Sequence, residues 1–284
     1  VPSVDGREAT VPGPIFEGWI VLAGWAAATS RIRLGCLVSG VGYRNPSLTV
    51  KMATSLDHMS GGRVTLGIGA GWFRAEHERF GYDLLEPADR FDRFEDAAAI
   101  SRGLLDGGTR PFTHEGRFYA VRDAVNDPPP VQARLPLMIA GAGERRTIPI
   151  VARYADLWNL NGDPATLARK GALLDAACRA IGRDPREVRR TAQRGPAMIR
   201  STRDEAVAAL AEVYLHNGMP WSAALAKAVG SPNVGTVEDV VAGLAAVVRA
   251  GYEEVTIELP LPADPATLEA LAGPVRERLA SLLA

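Results

Sequence analysis

The chain has little of what several kinds of chemistry require. Its 284 residues include two cysteines and four histidines. A disulfide framework is therefore excluded. No two histidines share a strand or helix at ligand spacing, and there is no Cys-x-x-Cys, which argues against metal catalysis. The Gly-x-Ser-x-Gly elbow of a hydrolase is also missing. No apolar run reaches the length that spans a bilayer. The first residues, VPSVDGREATVPGP, lack the basic start and apolar stretch of a signal peptide. A formal net charge of -1 makes no case for a nucleic-acid surface or an acidic tail. These absences point to a cytoplasmic protein acting on a small molecule, with neither nucleic acid nor membrane as partner.

What is present is an ordinary α/β composition, 47% hydrophobic and 23% charged, in a chain long enough to bury a large core. Short β-branched runs alternate with helical stretches, which predicts a parallel sheet with helices outside it. Residues 1–14 read as a proline-punctuated loop. Helices are expected over Phe16–Thr29, Ser47–Met59, Asp89–Leu105, Arg146–Tyr154 and Pro164–Ile181, near 203–215 and 237–250, and from Pro265. Strands are expected over Ile32–Val38, Arg63–Ile68, Leu137–Ala140, Ala155–Asn159, Arg190–Ile199 and Glu254–Leu259. Between them, about 107–132 reads as an insertion with a hairpin around Glu115–Gly116 and three prolines at 128–130.

A closed (β/α)8 barrel needs eight strands, whereas six are expected here, and the chain opens on a loop and a helix. An open doubly wound sheet is the alternative, but no dinucleotide fingerprint follows any strand. The reading is one barrel domain over 1–284 that begins after its second strand, lacking the first two strands and first helix.

Two glycine-rich turns carry the functional signal. In LGIGAGWFRAEHERFG, Leu66–Gly81, a buried strand breaks into a stretch where Gly67, Gly69 and Gly71 let something flat approach the backbone. It also carries the adjacent acid and imidazole Glu76 and His77, a pair suited to proton transfer. In PLMIAGAGERRT, Pro136–Thr147, a strand passes through glycines into a helix start, the layout of an anion site. Together they suggest a phosphorylated cofactor held across a barrel mouth.

Three segments, Thr29–Trp72, Ala70–Ala97 and Pro136–Gly162, resemble the luciferase-like monooxygenase superfamily, and within it the coenzyme F420-dependent oxidoreductases of actinobacteria. The resemblance implies a luciferase-type TIM barrel binding a reduced deazaflavin, or alternatively FMN, at the C-terminal ends of its strands. With FMN a flavin reductase would be a partner, and a homodimer is the usual assembly of such families. A cofactor-binding homologue without catalysis is the reading from another class. The resemblance also implies a cis peptide bulge at Leu37–Val38, where the plain reading is a strand end. Arg44, beside Tyr43 and Asn45, would face the ring edge or acidic tail, or else be a solvated arginine at a helix entrance.

Ala70, Gly71 and Trp72 would lie beside the ring, with Trp72 alternatively a lid or core aromatic. Some relatives place a glutamate nearer Gly71, where this chain has Trp72 or Phe73, so Glu76 and His77 become the proton-donor candidates. Their structural alternative is a helix-start acid and a surface histidine. Gly141, Ala142, Gly143, Glu144 and Thr147 would bind the phosphate, with charge from Arg145 or Arg146, unless they form a plain strand-to-helix turn. Asp156, Trp158 and Asn159 are expected to support the mouth, and Gln193 and Arg194 to reach towards the ring. His58, His114 and His216 show no partner pattern.

Overall fold

The structure is a computed structural model that describes residues 16–283. The loop expected over residues 1–14 lies outside them. Helix α1 (Gly18–Ala28) is capped by Glu17, whose carboxylate accepts from the Ile20 N–H at 2.8 Å. At its other end the Thr29 hydroxyl donates to the Trp25 carbonyl at 2.6 Å. There the Arg63 guanidinium donates to the carbonyls of Ala26, Thr29 and Ile32 at 2.7–3.0 Å, satisfying groups that a helix terminus leaves unbonded.

The strand expected over Ile32–Val38 is replaced by a lone parallel bridge, Leu34 to Val64, followed by the two-residue β1 (Ser39–Gly40). The chain bulges between them and folds the Cys36 carbonyl towards its neighbour, which interrupts the ladder. Asn45 caps α2 (Pro46–Ser60), accepting from the Ser47 N–H at 2.9 Å, and the helix stops at Gly61 with φ +66°, as the sequence signals require. After β2 (Leu66–Gly69), the glycine-rich stretch leads into a seven-residue helix, α3 (Arg74–Phe80), with Glu76 in its first turn, the helix-start acid of the structural alternative. The helix is too short to show periodicity.

Helix α4 (Pro87–Gly107) carries the expected hairpin, β3 (Phe112–Glu115) and β4 (Ala120–Ala124). Asp96 of α4 pins it by accepting from His114 Nε2 and from the Phe118 and Tyr119 N–H groups at 2.9–3.3 Å. The proline segment that follows docks on α2. Buried Asp57 accepts from the Gln132 backbone and side-chain amides, and His58 Nε2 lies 2.8 Å from the Pro129 carbonyl. His58 and His114 thus have partners that the sequence did not reveal.

The repeat resumes through β5 (Leu137–Ala140), α5 (Thr147–Tyr154), β6 (Leu157–Leu160), α6 (Pro164–Ala180), β7 (Arg189–Ile199), α7 (Arg203–His216), α8 (Trp221–Val229), the unexpected β8 (Asn233–Gly235), α9 (Val237–Arg249) and β9 (Glu254–Glu258). It closes with α10 (Pro265–Ala270) and α11 (Arg276–Leu283), joined by a π turn. The sheet is parallel, in the order β1-β2-β5-β6-β7, with β9 beside the first part of β7 and β8 beside its end. Among the described residues β1 ends this row on one side and β8 and β9 on the other, and β1 pairs with neither. Leu66, Ile68, Leu137, Ile139 and Trp158 pack outward against helices through Val50, Phe94, Ile148 and Leu167. Strand alternation then leaves Gly67, Gly69, Met138, Ala140 and Asn159 on the inner face.

Candidate active site at the carboxyl ends of the strands

The register puts both glycine turns at one end of the sheet. Gly40 pairs with Gly69, Ile68 with Ile139, and Ala140 with Asn159, all parallel, so the loops after β1, β2, β5 and β6 open on the same side. That is the end where barrels of this class place their chemistry.

The peptide Leu37–Val38 is cis, as the resemblance implied. A Cβ on Gly67 would sit 2.3 Å from the Cys36 carbonyl and 2.8 Å from Val38, and one on Gly69 would sit 2.8 Å from Val38. The close neighbour of these two glycines is therefore the bulge of the adjacent strand. At Gly71, with φ +80°, the flat neighbour is the His77 ring, whose Cε1 and Nε2 lie 3.4 Å from the Cβ position. His77 is 1% exposed and is no surface histidine. Its Nδ1 lies 3.0 Å from the Phe73 carbonyl, to which it donates, while Nε2 is buried without a partner.

The ring of Tyr43 lies against His77 at 4.8 Å, and its hydroxyl donates to Glu76 Oε2 at 2.6 Å. Burial, and then the Glu76 bond, push the Tyr43 hydroxyl well above its ordinary pKa and keep its proton on. This clasp joins the loop after β1 to α3. The tyrosine's part in it was not legible in the sequence. Trp72 is 57% exposed at the rim beside Phe73, so it is not a core aromatic. Arg44, expected at the ring edge or acidic tail, pairs with Glu17, the cap of α1.

The second turn is held from beneath. Gly141, at φ +135°, donates its N–H to the Asn159 carbonyl at 3.0 Å, and its own carbonyl accepts from Trp158 Nε1 at 2.8 Å. Among the described residues, the N–H groups of Ala142, Gly143 and Glu144 have no backbone partner. A Cβ on Gly143 would lie 2.9 Å from Thr147 Oγ1, so a larger residue would crowd this cradle. Arg146 is drawn away to Asp92 of α4. Lys170 of α6, mostly buried, reaches the turn instead: its Nζ donates to the Ala142 carbonyl at 2.7 Å and to Glu144 at 2.6 Å. Lys170 and then Arg169 hold the Glu144 carboxyl below its usual range. No local motif marks Lys170, which comes from one helix further along.

Trp158 and Asn159 support the mouth as expected. Asp156 does not, because it sits at the opposite end, accepting from the Leu137 N–H at 2.8 Å and from Arg102 and Arg134. Arg194 is buried and donates to the Gly162 carbonyl at 2.8 Å, while Gln193 is exposed. A cleft of about 410 Å³ opens by Arg190 and Gly251, near the start of β7. There Arg190 pairs with Asp175 and Arg186 with Asp184. Among the described residues no group of three His, Cys, Asp or Glu could hold a metal ion, and no helix is long and apolar enough to cross a membrane.

Comparison with known proteins bears on the same architecture. A phthiodiolone/phenolphthiodiolone dimycocerosates ketoreductase of Mycobacterium tuberculosis is 31% identical over 198 residues, 69% of this chain and 49% of that protein. The chain spans about half the length of such curated relatives. The coenzyme F420-dependent tetrahydromethanopterin reductase of Methanopyrus kandleri superposes with a TM-score of 0.75 at 19% identity, covering 93% of this chain and 88% of the other. The oxygenating constituent of 3,6-diketocamphane monooxygenase from Pseudomonas putida, in complex with FMN, gives 0.70 at 17% identity, over 93% and 84%. The profile described as luciferase-like monooxygenase matches residues 5–254. Because that match runs as far as the start of β9, and not over one motif, the chain belongs to the luciferase-like monooxygenase family.

Proposed function

We propose that this oxidoreductase binds coenzyme F420 across its two glycine turns and transfers hydride between it and a carbonyl or unsaturated carbon of a small substrate. The observation that carries this reading is that the Gly69–Trp72 bend and the Gly141–Gly143 turn leave adjacent parallel strands at the same end. When bound, the deazaflavin supplies the hydride chemistry; the protein supplies binding, orientation and the proton.

The turn fits an anionic tail. Three N–H groups are unclaimed by backbone, a helix begins behind them, and Lys170 lies against Ala142 and Glu144. Ala70 and Gly71 line the ring position, and the exposed Trp72 covers the rim against water. For the proton, His77 is the stronger of the two candidates. Its Nδ1 is committed to Phe73, which leaves Nε2, directly behind Gly71, as the atom able to carry one. Glu76 already accepts from Tyr43 and so orients the clasp. A ketoreductase among the relatives supports carbonyl reduction, and F420-dependent enzymes among the structural neighbours support the cofactor. An FMN-bound neighbour supports the second reading, oxygenation with reduced FMN delivered by a separate reductase.

Titration separates the readings. F420 fluorescence should be quenched on binding, Gly143→Val should weaken that binding at least tenfold, and FMN should be retained poorly. Retention of FMN alone overturns the F420 assignment, and binding of neither overturns the cofactor site. His77→Gln should lower turnover by about 100-fold with F420 affinity little changed; unaltered turnover removes His77 from the chemistry.

A further inference from the structure

We propose that Glu258 is a substrate-binding residue on the β9 side of the mouth, with Tyr214 behind it as its positioning residue, and that the pair selects substrates bearing a hydroxyl group near the reacting carbon. The proposal rests on the oxidoreductase reading and names its substrate class.

Along β9, Val255 and Ile257 pack outward with Ile199, Val240 and Leu244. Glu254, Thr256 and Glu258 therefore face the other way, towards the inner side of the sheet. Glu254 lies at the start of the strand within 3.7 Å of Arg189. Glu258 is the last residue of the strand, in register with Pro196 just past the irregularity in β7, at the carboxyl end where the glycine turns also open. It is half-buried, and its carboxylate has no hydrogen-bond or ion-pair partner among the described residues. An acceptor at this end without a donor is suited to a ligand's O–H.

Tyr214 comes from α7 and is 6% exposed, packed among Met198, Leu210, Ala224 and Val234. Its hydroxyl is nevertheless buried without a partner. The two chain segments are tied three residues further on, where Asn217 Nδ2 donates to the Leu261 carbonyl at 2.7 Å. Burial, and then the charge of Glu258, raise the Tyr214 hydroxyl far above its ordinary pKa, so it stays a donor. The Lys227 ammonium lies 4.5 Å from the ring centroid and fixes the ring from α8. When a substrate hydroxyl occupies the mouth, it donates to Glu258 and the Tyr214 hydroxyl steadies the carboxylate from the protein side.

The test uses the F420-loaded chain with hydroxyacetone and acetone as probes, binding being read by ligand-detected NMR. Hydroxyacetone should bind at least tenfold more tightly. Glu258→Leu should abolish the preference, and Tyr214→Phe, which keeps the packing, should reduce it about threefold without changing F420 affinity. Equal binding of the probes, binding of neither, or a preference that survives both replacements overturns the proposal. Failure to take up any cofactor overturns the oxidoreductase reading instead, and the prior titration reveals it.

Discussion

Gly67 shows what single residues convey and what they conceal. Its sequence context correctly signals close approach, but the group that approaches is the Cys36–Val38 bulge, not a ligand. Gly67→Ala would place a methyl 2.3 Å from the Cys36 carbonyl, which backbone cannot easily yield. A loss of about 1–3 kcal/mol in urea unfolding is expected; an unchanged midpoint would contradict the packing described. Arg44 and Arg146 teach the complementary lesson. Both sit beside the turns in sequence, yet Glu17 and Asp92 claim them, because a long side chain goes to whichever carboxylate the fold brings within reach. His77 is hidden for the same kind of reason, since only the return of α3 beneath Gly71 buries it.

At the level of elements, the helices with written caps were legible. Asn45–Pro46 and Gly61 bracket α2, and Asp163–Pro164 opens α6. Short elements were not: β1, α3 and β8 have two, seven and three residues, too few for any period to emerge. The end of α1 falls within one residue of the expected Thr29, but its tie to Arg63, from beyond the next helix, was not legible. Arg63→Met would leave the carbonyls of Ala26, Thr29 and Ile32 without this donor. About 2–3 kcal/mol should be lost, with Tm lower by about 5–10 °C. A Tm within a degree of the parent would show that water replaces these bonds freely.

The whole molecule depends on ties between distant strands and helices. Asp156 links the starts of β5 and β6 to α4 through Leu137 and Arg102. Asp264, ahead of α10, binds Arg200, just after β7, through both carboxylate oxygens at 2.9–3.0 Å. Arg200 first, and then Thr267, lower the Asp264 carboxyl to about 2. A depressed carboxyl stabilises the fold above its unfolded value, about 3.9, and that contribution disappears as the pH falls through about 2. Asp264→Asn should therefore cost about 2 kcal/mol at pH 6 and almost nothing at pH 2. Urea midpoints at the two pH values check it, and a cost independent of pH would assign the loss to packing instead.

By itself the amino-acid sequence determined the alternation of strands and helices and the two glycine turns, because hydrophobic period, caps and glycine spacing are local properties read along the chain; the family came from the resemblance of three segments. Tertiary structure decided which way side chains turn and what fills each glycine's open face. Lys170 at the Gly141–Gly143 turn, Tyr43 on Glu76, and Glu258 at the carboxyl end of β9 are products of register and crossover. Lys170 and Glu144, 26 positions apart, and Tyr43 and Glu76, 33 apart, meet because parallel strands align the ends of segments that the sequence keeps separate.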